Sequence, residues 1–226
     1  AVLRRRWRRE RRRRADAAMT SDVMSIREML LGGPGSGLPP FRMLLAPGWV
    51  AERPSGEGSL ATSPEIGARL KASHRPDADA QLAPLLRRAD ERLRALRAFL
   101  TLRQAQEVDG FFAPMTITMT EHAATEGTLD AQVSALVAKH GAEPLRGDLG
   151  MLRWVTDGSH DLAGGRVRTR TVSYLTPVPG TAHVSAVLVA ATIVAPDDAP
   201  DDHPLLVGSV EIADAMLATF EWEAAS

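Results

Sequence analysis

The chain has 226 residues, 44% of them hydrophobic and 24% charged, which suits one globular domain that buries roughly 70% of its unfolded surface. With no cysteine, disulfides, thiolate metal sites and cysteine nucleophiles are excluded. The net charge of −1 hides an asymmetry: residues 1–18 hold nine arginines against Glu10 and Asp16, so the rest is acidic, which argues against nucleic acid as the main partner of the folded domain.

Residues 1–40 are expected to be a disordered basic tail followed by a Gly/Pro linker. The arginine run repels itself, and GGPGSGLPP is flexible until it stiffens at Pro39-Pro40. A secretory signal needs an apolar stretch after the basic residues, and ADAAMTSDV is not one. The chain opens on Ala, and Met19 follows the arginines, so Met19 is read as the expected natural start and the cytoplasm as the expected location. A contact of residues 1–18 with nucleic acid or an acidic membrane is the alternative use of this segment.

The globular domain is expected over 41–226. FRMLLAPGWV (41–50) reads as a first strand and turn, punctuated by Pro47-Gly48, with Trp49 packing back on the core. From Asp79 to Gln106, Leu82, Leu85, Leu86, Ala89, Leu93, Leu96, Phe99 and Leu100 fall at helical spacing, which predicts a long amphipathic helix. FFAPMTITMTEH alternates Met115, Ile117 and Met119 with threonines, the period of a strand with one apolar face. Leu129 to His140 is the next helix, with Thr128 before it and Gly141 as its stop. LGMLRWVTDG (149–158) is a third strand, and residues 159–165 connect it to a long hairpin.

The two antiparallel strands of that hairpin dominate, from Arg166 to Val194. RVRTRTVSYLT is β-branched and contains no Gly or Pro, and Pro177-Val178-Pro179-Gly180 stops it in a turn. The return, TAHVSAVLVAATIV, is apolar at nearly every position, so both its faces are expected to be covered. A C-terminal helix is predicted with Asp202 as its cap and Pro204 in its first turn, lined by Leu206, Val210, Ala213, Leu217 and Phe220 and closed by Trp222.

No catalytic constellation is legible. G-x-S-x-G, H-E-x-x-H, a phosphate-loop lysine and a dinucleotide fingerprint in context are all missing. The six histidines lie apart. The loop carrying Asp197, Asp198, Asp201, Asp202 and His203 matches no EF-hand spacing, so neither metal nor cofactor is expected. Arg166, Arg168 and Arg170 recur at period two on one strand face, followed on the same parity by Tyr174. Guanidinium groups so placed can clamp carboxylates, and these four residues form the candidate binding surface.

Three stretches carry a resemblance: Ala46-Pro47-Gly48-Trp49, Tyr174-Leu175 with Pro177-Val178-Pro179-Gly180-Thr181, and Ala215 through Trp222. With the order of elements, they make residues 41–223 similar to the PsbP-like α/β/α sandwich superfamily, which includes bacterial LpqN-type lipoproteins. The resemblance implies an α/β (α+β) domain, a mainly antiparallel sheet flanked by helices on both faces. It also implies a non-enzymatic role in protein binding or assembly, with another protein as partner. A small-ligand or enzymatic site between helix and sheet, using Tyr174, His183 or the acidic loop, is the rival expectation.

Overall fold

A computed structural model describes residues 37–54, 91, 93, 95–124, 128–146, 150–162 and 165–223. The basic tail, its linker to Ser36 and residues 79–90 of the expected long helix lie outside the described residues.

The described elements are β1 (Phe41–Arg42), β2 (Trp49–Glu52), β3 (Ala98–Gln104), β4 (Met115–Ala123), α1 (Leu129–His140) and β5 (Glu143–Pro144). After them come β6 (Leu152–Leu162), β7 (Gly165–Pro177), β8 (Ser185–Pro196), α2 (Pro204–Leu217) and β9 (Glu221–Trp222). Seven strands form one sheet in the order β2-β3-β4-β8-β7-β6-β5, and every pairing is antiparallel. The α/β/α layering expected from the sequence is present, with α2 on one face and α1 on the other.

Side-chain parity explains the two layers. On one face Ile117, Met119, Val172, Tyr174, Val189, Ala191 and Ile193 are fully buried, and Leu206, Ala213, Met216 and Leu217 of α2 close over them. On the other face Leu175 and Ala186 meet Leu129 of α1, with Val133, Leu136, Leu152, Trp154 and Leu188 partly buried around them. Strand β8 is therefore covered on both faces where α1 lies, as its continuous apolar run requires. The small Ala186 lets the start of α1 lie close.

The two helices differ in how firmly they are held. Five residues of α2 are buried, and one of α1, Leu129. At about 1.5–3 kcal/mol for each fully buried large aliphatic side chain, α2 contributes far more to the fold. Gly141 ends α1 in the left-handed region at φ 61°, its N–H bonded to the carbonyl of Val137, as the sequence predicts.

Four sequence expectations change. The cap of α2 is His203, whose Nδ1 accepts from Leu205 N at 3.2 Å, and not Asp202. The expected helix over 79–106 gives way to strand β3 at Ala98, after Arg97 takes a positive φ of 53°. Leu100 and Leu102 pack on the α2 side opposite Met119 and Ile117, and pairing with β2 and β4 outweighs local helical spacing. Trp222 does not close the last helix but lies in β9, which pairs Trp222 with Phe41. Phe41 stacks on Phe220 at 5.0 Å and meets Trp222 edge-on at 6.0 Å, fastening the two ends of the domain together. Finally, β6 runs on through residues expected to be a loop and stays paired with β7 as far as Leu162 and Gly165.

The Pro47-Gly48 turn needs its glycine. Gly48 has φ 77°, and a Cβ there would stand 2.6 Å from the Gln106 carbonyl oxygen. That close approach lets the Gly48 carbonyl accept from both Ala105 N and Gln106 N and seats Trp49 in the core.

Candidate functional site

The period-two arginines of β7 stand opposite the far half of β6, Arg170 facing Asp157, Arg168 facing Ser159 and Arg166 facing Asp161. Register alone thus places acids and guanidinium groups side by side. Arg170 grips Asp157 with two bonds, Nε to Oδ1 at 2.9 Å and Nη2 to Oδ2 at 3.2 Å. Arg168 Nη2 reaches Asp157 Oδ1 at 3.2 Å and also donates to Asp201 Oδ1, which Arg170 Nη2 meets at 2.8 Å. Arg168 Nη1 adds a bond to the Ala199 carbonyl at 2.8 Å. Two carboxylates and two guanidinium groups close into a network that ties the acidic loop before α2 onto the sheet.

The charges respond accordingly. Asp157 is held below the usual carboxylate range, chiefly by the hydrogen bond from Arg170, and Asp201 is held low chiefly by the one from Arg168. Arg168 and Arg170 are largely covered, with 20% and 14% of their side chains exposed. Arg166 is open at 62%, bonded to Ser159 Oγ at 2.7 Å and 3.6 Å from Asp197. All three arginines pair with the protein's own acids, and they differ in exposure: Arg168 and Arg170 are largely covered, whereas Arg166, paired with Asp197, stays mostly open to solvent.

Tyr174 lies apart from these three. It is fully buried, and its hydroxyl donates to Asp214 Oδ1 of α2 at 2.7 Å, an oxygen that also accepts from Arg153 Nε at 2.8 Å. Burial and that bond push the phenol well above its ordinary pKa. Tyr174 is a core anchor between sheet and helix, out of a partner's reach.

Sequence reasoning left the extent of the sheet's free edge unread. Strand β7 pairs β6 from Leu152 to Leu162, but β5 covers only Leu152 and Arg153 on the outer side. Residues 154–162 of β6 have no outer partner among the described residues, and Asp157 through Asp161 are exposed. The alternation of the β6–β7 ladder is the signal for a strand here. That β5 stops after two residues has no local signal.

A second feature flanks α1. Between α1 and the sheet lies a cleft of 400 Å³ lined by Leu136, Trp154, Leu175 and Leu188, with His122, Gln132, Lys139 and His140 around it. His122 Nε2 lies 2.9 Å from Gln132 Oε1. On the other flank a cleft of 240 Å³ is lined by Leu129, Val133, Met151, Leu152 and Leu175, with Asp130 and His183 among its walls. Among the described residues no cluster of His, Asp or Glu is placed to hold a metal ion, and no helix is long and apolar enough to cross a membrane.

No family model matches the chain, and no curated protein matches it either. Solved structures similar to it include a protein of Bacteroides thetaiotaomicron VPI-5482, 10% identical, with a TM-score of 0.35 over 81% of this chain. The chain spans 45% of the length of that protein. Another is LpqN of Mycobacterium tuberculosis, described as involved in cell envelope biogenesis, 13% identical over 85% of this chain and 87% of that one, with a TM-score of 0.40.

Proposed function

We propose that this chain is a non-enzymatic protein-binding or assembly module that recognises its partner by strand addition along β6. The observation that carries the reading is the outer edge of residues 154–162, which has no partner among the described residues, beside a ladder paired throughout on its inner side. An exposed edge is a template for another extended segment, whose main chain supplies affinity while flanking side chains supply selectivity. Edge strands are commonly guarded by charge, but here the Asp157 carboxylate is bound by Arg168 and Arg170. Arg166 is the most exposed of the three guanidinium groups, and a partner's acidic group would compete there with the exposed Asp197.

Proline at an outward-facing position tests this, because it removes a backbone donor that only a partner uses. Ser159→Pro is expected to keep the fold and lose the partner captured by the wild-type chain from native lysate. Arg166→Ala is expected to weaken capture without abolishing it. Equal retention by wild type and Ser159→Pro would end the strand-addition reading.

The 400 Å³ cleft supports a second reading, a small-ligand protein. Its size falls within the range of about 300–1,000 Å³ typical of small-molecule sites, and its walls are mostly apolar. Saturable binding of a nonpolar fluorescent dye, lost on Leu188→Arg in a folded variant, would favour it; unchanged binding by that variant would remove it.

A further inference from the structure

We propose that the segment added to β6 is β6 of a second copy, paired antiparallel about a two-fold axis through Gly158. This rests on the strand-addition reading above and names the partner. The free edge fixes the register. Among the described residues it runs from Trp154, the first residue beyond the β5 pairing, to Leu162 at the end of the β6–β7 ladder, and Gly158 is its midpoint. Only an axis at that residue pairs the whole free stretch with itself.

Backbone direction agrees. Leu145 N donates to the Met151 carbonyl, and Glu143 pairs with Arg153, so the odd-numbered residues of β6 turn their polar groups outward. The same alternation continues through 155, 157, 159 and 161. With the axis at Gly158, Asp157 exchanges hydrogen bonds with Ser159 of the second copy, and Val155 does so with Asp161.

Charge selects the same register. With the axis at Gly158 no two acids are opposed, and Thr156 faces His160. An axis at Ser159 sets Asp157 against Asp161, and an axis at Asp157 sets that carboxylate against itself; like charges directly opposite are destabilising. The latter axis also carries the partner strand onto residues that β5 already holds. At the axis the two Gly158 residues form a close, non-hydrogen-bonded pair, with Cα atoms about 4.5 Å apart. The result is one sheet continuous through two copies, β7-β6 meeting β6-β7, with both α1 helices on the same side.

The absence of cysteine makes the register directly readable. A disulfide needs Cα atoms about 4.4–6.8 Å apart, which the axis position meets and its neighbours do not. Gly158→Cys in the full chain is expected to cross-link rapidly in air on a non-reducing gel, and Ser159→Cys and Asp161→Cys slowly. Because a Cβ at Gly158 comes 3.2 Å from Thr169 Oγ1, the double variant Thr156→Cys with His160→Cys provides a second reading, since these positions oppose each other twice. Light scattering of the wild type is expected to climb with concentration from 24.3 kDa toward twice that mass, and Ser159→Pro to stay at the lower value. Wild type that stays monomeric, or cysteines that cross-link at equal rates, would overturn self-pairing while leaving capture of a different chain by the edge to its own test. A dimer that survives Ser159→Pro would place the interface elsewhere and likewise overturn self-pairing.

Discussion

The Tyr174 hydroxyl and the Asp214 carboxylate meet at 2.7 Å between β7 and α2, and Arg153 holds the same carboxylate oxygen from β6. Three elements are joined through one acceptor. Tyr174→Phe removes the hydroxyl donor while Asp214 keeps Arg153, and a loss of about 1–3 kcal/mol in urea unfolding is expected.

Tyr174 is the protein's one tyrosine, so its phenolate absorbance reports on this site alone. Its folded pKa is raised, by burial first and the Asp214 bond second. Its contribution is therefore fully present below the ordinary tyrosine value of about 10, and is lost as pH climbs above it. Phenolate absorbance is expected to appear together with the loss of native circular dichroism, rather than before it. A phenolate that forms in the folded protein near its ordinary pKa would contradict the buried bond.

The Asp157 network acts at the other end of the pH scale. Its carboxylate is held low chiefly by Arg170, so its contribution is present above the ordinary carboxylate value of about 4 and is lost as pH falls through the lower folded value. Asp157→Asn is expected to be less stable than wild type near neutrality, with the difference shrinking as the pH drops below about 4. Urea midpoints across that range measure it.

Gly48→Ala tests the turn that seats Trp49. A positive φ and a Cβ 2.6 Å from the Gln106 carbonyl leave no relaxed position for the methyl group. Backbone strain of this kind costs about 1–3 kcal/mol, and the contact adds to it. The midpoint of thermal unfolding is expected to fall by several degrees.

The amides of α1 are expected to exchange with solvent faster than those of α2. One buried residue holds α1, with a cleft on either flank, against five buried residues in α2. Local opening of α1 therefore exposes little apolar surface. Native-state hydrogen exchange read by mass spectrometry separates the two helices, and equal protection would contradict the loose seating.

The sequence by itself determined the features whose causes are local. Alternation of β-branched residues made β7 a strand, the continuous apolar run made β8 a buried one, and Gly141 ended α1 because glycine takes φ 61° without penalty. The turn at Gly180, with φ 77°, falls where Pro179-Gly180 announced it. Tertiary structure alone decided what depends on distant neighbours. Residues 98–104 carry a helical spacing, yet became a strand because β2 and β4 offered backbone partners on both sides. Period two placed Arg166, Arg168 and Arg170 on one face, but only the register against β6 and the return of the acidic loop revealed that each is paired with an acid of the protein itself, Arg168 and Arg170 under cover. The free edge of β6 has no signal in its own residues, since whether a strand is central or an edge is settled by how far its neighbour extends, and β5 stops after two.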